Sequence, residues 1–277
     1  MEADSVRDPG TMEEKADLEM AENPFEQYIE SVRQELENQD PIFIIGIIVA
    51  LAVVVITFVF LKYFLSSKTV RSAVLLVGLC DAGKTLLFSR LLSGKFKRTQ
   101  TSITDSSAPY RAKSDRGSTW TLIDLPGHDS LRPQYMEKFK SAARAIVFVV
   151  DSAIFQKEVR DVAEFLYFLL TDPVIIRNAP ALLLACNKQD ITMAKSAKLI
   201  QQQLEKELNT LRVTRSAALS SQDGSVGGSV YLGKKGKDFE FSQLPMKVEF
   251  LECSARGSKG EEGNADIDSL EKSLAKL

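Results

Sequence analysis

The sequence predicts an α/β fold: a doubly wound, mostly parallel sheet preceded by a single transmembrane helix. Three observations carry that expectation. Past Arg71, short apolar runs alternate with helix-like patterns, as strands do when helices cross over between them. The first of those runs, Ala73-Val74-Leu75-Leu76-Val77, leads through Gly78-Leu79-Cys80-Asp81-Ala82-Gly83-Lys84-Thr85 into the helix-compatible run Leu86–Leu92. Upstream of both, Ile42 to Leu61 contains no charged residue.

The elements follow in order. Residues 1–41 form an acidic tail. Its thirteen Asp and Glu face only Arg7, Lys15 and Arg33, so it has little to bury and is expected to be mostly disordered. Within it, 26–39 has the spacing of a short amphipathic helix. Residues 42–61 are apolar all round. At 1.5 Å per residue they cover about 30 Å, the thickness of a bilayer core. Glu37 and Asp40 lie before the run, and Lys62, Lys68 and Arg71 after it. Positive flanks stay cytosolic, which puts the N-terminus on the lumenal or extracellular side. A short linker, 62–70, holds the remaining domain, 71–277, close to the membrane surface.

Inside that domain, Lys95–Ser118 reads as a polar loop and Trp120–Ile123 as a strand ending at Asp124. Helical residues 131–143 precede the buried strand Ala145–Val150, which Asp151-Ser152 closes. An amphipathic helix is expected over 158–170, a strand over Ala181–Ala185 and a helix over 194–211. Residues 213–243 read as a flexible, Ser/Gly-rich insertion. Lys247–Glu252 is the last strand, and a helix from about Asp266 closes the chain.

Composition limits the function. Of 277 residues, 44% are hydrophobic and 26% charged, ordinary for a globular core. A net charge of −2 gives no direct nucleic-acid signal. Cys80, Cys186 and Cys253 lack metal-ligand spacing and cannot pair off evenly, which suits reduced thiols in a cytosol-facing domain.

The chemistry lies at the strand ends. The run Gly78–Thr85 fits G-x-x-x-x-G-K-[ST], which wraps nucleotide phosphates. A polyanion needs positive potential without side-chain bulk, and backbone N–H groups at a helix N-terminus supply it. The cradle extends from Gly78 to Leu86. Gly83 allows close approach, Lys84 reaches the β/γ oxygens, and Thr85 places its hydroxyl on Mg²⁺. Asp124 and Gly127 form D-x-x-G. Asp124 is expected to hold Mg²⁺ through water. The Gly127 N–H is expected on the γ-phosphate, a contact only a triphosphate offers and therefore able to drive a switch. Asn187-Lys188-Gln189-Asp190 is N-K-x-D and selects guanine. Asp190 accepts from N1–H and the 2-amino group, which adenine lacks. Asn187 is expected at N7, and the Lys188 stem over the base. Ser254-Ala255 ends the last strand, with the Ala255 N–H expected on guanine O6. Thr99, Gln100, Thr101 and Ser102 form the switch segment, one of whose hydroxyls meets Mg²⁺. His128, the only histidine, stands where attacking water is oriented in many GTPases.

The order GLCDAGKT, DLPG, NKQD, SAR resembles the Ras-like small GTPase superfamily over roughly residues 70–277. The loop and the stretch Gly127–Arg132 are most similar to its Arf/Sar branch. Together with the N-terminal anchor, GLCDAGKT and LPGH closely resemble the signal recognition particle receptor β-subunit family. That resemblance implies a Ras-like G domain using GTP/GDP and Mg²⁺, on the cytosolic face of the endoplasmic reticulum membrane. It also implies a peripheral receptor α subunit as partner, with ribosome or translocon as further contacts. Cys80 and Asp81 depart from the glycines of Ras proteins, and Cys80 would obstruct a partner's arginine finger. Three functions remain open: a GTPase switch, a module holding GTP as a structural ligand with negligible hydrolysis, and, least compatible with N-K-x-D, another P-loop enzyme.

Overall fold

The computed structural model of the chain describes residues 41–65, 71–112, 119–221, 231–257 and 263–277. The chain divides into two compact units, Met1–Lys68 and Thr69–Leu277. In the first, α1 (Pro41–Leu65) is a 25-residue helix. Its one hydroxyl within the uncharged run, that of Thr57, donates to the Val53 and Val54 carbonyls at 2.5 and 3.0 Å. Large apolar side chains from Val49 to Phe60 stand exposed. Among the fully described residues no helix is long and apolar enough to cross a membrane; their side chains run unbroken only over 49–60. The acidic tail and its expected 26–39 helix lie outside the described residues.

In the second unit the strands are β1 (Ala73–Val77), β2 (Ser106–Arg111), β3 (Thr119–Asp124), β4 (Ala143–Asp151), β5 (Ala181–Asn187) and β6 (Val248–Glu252). They form one six-stranded sheet in the order β2-β3-β1-β4-β5-β6. Every pairing is parallel except β2 with β3. The helices are α2 (Lys84–Ser93), α3 (Arg132–Phe139), α4 (Phe155–Leu170), α5 (Pro173–Asn178), α6 (Ala197–Ser221) and α7 (Asp268–Ala275).

Strand periodicity explains the two-sided core. In β1, Leu75 and Val77 join Phe148, Leu166 and Leu204 on one face. Val74 and Leu76 join Leu87, Val147, Leu270 and Leu274 on the other. Successive residues point to opposite faces, and both faces are covered, so β1 and β4 are continuous apolar runs without alternation. Parallel strands with covered faces bring their C-terminal ends to one edge, where open α/β sheets bind ligands.

Three local expectations are corrected. The polar loop 95–118 contains the edge strand β2, whose sequence SSAPYR buries only Tyr110. Pro109 stands in it, which a strand tolerates only at an edge because proline has no N–H to donate. The expected helix at 131–143 is shorter, ending at Phe139 before a 3₁₀ turn, Lys140–Ala142. At the read insertion, 213–243, α6 continues to Ser221. Beyond the undescribed gap, Leu232, Phe239 and Phe241 are buried in the core, and Phe241 packs edge-on against Phe250 of β6.

Candidate nucleotide-binding site

The turn after β1 is built for close backbone approach. Gly78 has φ 142°, and a Cβ there would lie 2.3 Å from the Val149 carbonyl oxygen of β4. Gly83, at φ 93°, precedes α2 with no side-chain cap. The first N–H groups of α2 are therefore left for a ligand. A Cβ on Gly83 would meet Asn187 Nδ2 at 2.4 Å. The Lys84 ammonium is buried and donates to the Leu79 carbonyl at 2.6 Å. Burial pushes its pKa down, against the opposing charge of Asp124.

Gly127 lies directly on this loop: a Cβ there would be 2.6 Å from Lys84 Nζ and 2.8 Å from Cys80 N. Thr85 Oγ1 donates to Asp124 Oδ2 at 2.7 Å and stands 3.0 Å from Ser102 Oγ. Asp124 is fully buried, and its Oδ1 has no hydrogen-bond partner. Burial pushes this carboxyl up, with the Thr85 hydrogen bond and the Lys84 charge pulling it back. Two hydroxyls beside an orphaned carboxylate oxygen are a fit donor set for Mg²⁺, which takes few protein ligands and fills its sphere with phosphate oxygens and water. No cluster of three His, Cys, Asp or Glu suited to a metal occurs among the described residues. The expected segment Thr99–Ser102 lines, with Lys84 and Thr85, a cavity of about 220 Å³. Ser102 is the member that reaches Thr85.

The tips of β5 and β6 form the second half. Asn187 is buried; its Nδ2 donates to the Ala82 carbonyl at 2.8 Å. Its Oδ1 accepts the Ala255 N–H at 3.0 Å. The N–H expected on guanine O6 is thus engaged with Asn187 in this structure. Asp190 Oδ1 accepts the Ser254 hydroxyl at 2.6 Å, which fixes the carboxylate assigned to the base. Lys188 has φ 66°, and its ammonium pairs with Asp151 Oδ2 at 2.5 Å.

Asp151, expected only to close a strand, also contacts a residue of the N-K-x-D motif. Its Oδ1 accepts the Ala153 N–H at 2.9 Å while its Oδ2 aims Lys188. The signal for it was a carboxylate closing a fully apolar strand.

His128 does not join the phosphate corner. It is exposed, with Nδ1 2.9 Å from Ser130 Oγ. It lines a second cavity of about 570 Å³, with residues from 127–133 and α4 residues including Phe165 and Phe168 in its lining. That space is larger, but it lacks Lys84 and the hydroxyls; the smaller cavity has the groups a phosphate and its metal need.

Comparison with known proteins finds similar chains. The model of the family "Signal recognition particle receptor beta subunit" matches residues 69–248. Signal recognition particle receptor subunit beta of Mus musculus is 64% identical over 253 residues, spanning 91% of this chain and 94% of that protein. A structure of the mammalian SRP receptor shares 67% identity at a TM-score of 0.65, covering 74% of this chain and 98% of the other. An SRb-GTP/SRX complex from Chaetomium thermophilum is 23% identical with a TM-score of 0.58. It covers 74% of this chain and 99% of its own, and it supports the fold alone.

Proposed function

The chain belongs to the signal recognition particle receptor beta subunit family, and on that footing we propose that it is the membrane-anchored, GTP-binding subunit of such a receptor. It recruits a peripheral α subunit to the endoplasmic reticulum for co-translational targeting. The observation that carries the nucleotide reading is the corner where Thr85, Ser102 and the unpartnered Asp124 Oδ1 meet beside buried Lys84. Similarity to a receptor structure at 67% identity supports the receptor role.

Each residue then has a task. Lys84 and the N–H groups from Gly78 to Leu86 neutralise the phosphates. Thr85 and Ser102 offer hydroxyls to Mg²⁺, with Asp124 behind them. Mg²⁺ held there would neutralise phosphate charge. Asp190 reads the N1 and N2 edge of guanine, and Ser254 holds it in place. Asn187 couples the base loop to the phosphate loop, and Lys188 covers the base. The Gly127 N–H contacts a γ-phosphate and passes its presence to 127–135, while Ser102 does so for 99–109.

A second reading, GTP as a structural ligand with negligible hydrolysis, is favoured by two observations. Cys80 places a side chain on the phosphate loop, and His128 is exposed and bonded to Ser130 outside the phosphate cavity. The two readings separate on GTP turnover by the full chain in detergent, with and without α subunit. Guanosine nucleotide is expected to co-purify with the chain. Co-purified adenine nucleotide, or none with no binding on addition, overturns the nucleotide assignment.

The run 42–61 within α1 serves as a single span with the N-terminus lumenal and the second unit cytosolic. Its uncharged sequence, internally bonded Thr57 and basic C-terminal flank support this. Protease added outside sealed microsomes is expected to digest 71–277 and spare 1–40. The reverse pattern overturns the orientation.

A further inference from the structure

We propose that Arg90 is a positioning residue for guanine nucleotide binding: it closes a ring of contacts that makes the base loop and the phosphate loop one rigid unit. The proposal rests on the nucleotide reading above and extends it to a residue outside the motifs.

Arg90 lies on α2, two turns beyond Lys84, and is 3% exposed. An arginine at such depth needs acceptors for its N–H groups. Its acceptors among the described residues are all backbone carbonyls. Nε donates to Ala255 at 2.9 Å. Nη2 donates to Arg256 at 3.1 Å and Gly263 at 2.9 Å. Nη1 donates to Gly94 at 2.8 Å. The guanidinium also stands 5.6 Å from the Phe96 ring centroid. Three of the four carbonyls belong to the loop after β6 that carries Ser254 and Ala255. The fourth opens the segment leading to Thr99–Ser102.

The contacts form a circuit. Arg90 holds the Ala255 carbonyl. The Ala255 N–H holds Asn187 Oδ1. Asn187 Nδ2 holds the Ala82 carbonyl of the phosphate loop. That loop runs through Gly83 into α2 and back to Arg90. Each bond fixes a group that would otherwise lie in a turn without regular secondary structure. A planar fork of five donors reaches all four carbonyls, whereas an ammonium has only three donors on one nitrogen. Arg90 touches no ligand in this scheme; it acts through Ala255 and Asn187.

The test uses the full chain in detergent, loaded with radiolabelled GDP. Arg90→Met and Arg90→Lys are compared with Arg212→Met. Arg212 is a fair control because it is 4% exposed and also donates to backbone carbonyls, those of Leu232, Lys234 and Lys237, away from the site. A merely structural role predicts that both methionine variants lower the thermal midpoint and that neither alters GDP release. Positioning predicts release about tenfold faster in Arg90→Met, an intermediate rate in Arg90→Lys, and a wild-type rate in Arg212→Met. If Arg90→Met does not fold, Arg90→Lys decides, with release severalfold faster expected. Wild-type release from the folded Arg90 variants, or equal acceleration by Arg212→Met, overturns the proposal. Failure of the wild-type chain to bind GDP overturns the nucleotide reading instead.

Discussion

The Ser254 hydroxyl donates to the Asp190 carboxylate at 2.6 Å and accepts the Gly257 N–H at 2.9 Å. One side chain thus aims the acid proposed to read the base and ties down the loop beyond it. Removing it in Ser254→Ala leaves Asp190 without its donor. A lost hydrogen bond to a charged group costs about 1.5–3 kcal/mol, so GDP affinity should fall by roughly ten- to a hundredfold in calorimetric titration. Ser254→Thr, which keeps the hydroxyl, should retain most of it.

Asp190→Asn should weaken guanosine nucleotides and favour xanthosine nucleotides, because the amide can donate to the xanthine 2-oxo group where the carboxylate could only accept. Competition between GDP and XDP reads the preference directly. Unchanged GDP affinity in this variant removes Asp190 from the base site.

Thr85→Ala should abolish the slowing of nucleotide release by Mg²⁺ while leaving metal-free release close to wild type. The lost hydroxyl is both the proposed metal ligand and a donor to Asp124 that pulls its pKa down against burial. The raised pKa of Asp124 has a signed consequence. Protons should compete with Mg²⁺ at a higher pH than an unperturbed carboxylate would allow, so the metal effect should weaken as pH falls. Release rates with and without Mg²⁺ across pH measure both.

Asp151→Asn should weaken GDP binding severalfold. The neutral side chain still accepts from Ala153 but loses its charge partnership with Lys188, whose stem then wanders off the base. Wild-type affinity would show that Lys188 is placed by its backbone alone.

Asp172 gives a stability prediction away from the site. Its side chain caps α5 by accepting the Val174 and Ile175 N–H groups, and it pairs with Lys140 at 2.7 Å. Burial alone would raise its pKa, but the Lys140 and backbone hydrogen bonds outweigh it and hold the carboxyl below its usual range. A depressed acid stabilises above its unfolded pKa of about 3.9 and loses that contribution as pH falls through the folded value. Asp172→Ala should therefore cost about 1 kcal/mol at neutral pH, and its melting curve should converge on wild type under strong acid.

What could be read from the chain alone follows how local each feature is. The phosphate loop is consecutive residues between a buried strand and a helix, so spacing alone exposes it. The Asp190–Ser254 bond joins two strand tips 64 residues apart, and only the topology brings them together. Strand β2 escaped notice because an edge strand with one buried side chain carries no hydrophobic alternation. The continuation of α6 through Val213–Arg215 was hidden by the turn-prone composition just beyond. Arg90 was masked by its surroundings, since a cation in a mostly apolar helical run reads as the solvent face until its four carbonyl acceptors are seen.

The outermost strand carries one more consequence. A lateral edge of open amides invites another chain to extend the sheet. In β2 the third-last position is Pro109, paired across to Thr121, and it has no hydrogen to offer. The rail is interrupted at its middle, so copies crowded on one lipid surface are discouraged from stitching their sheets together side by side.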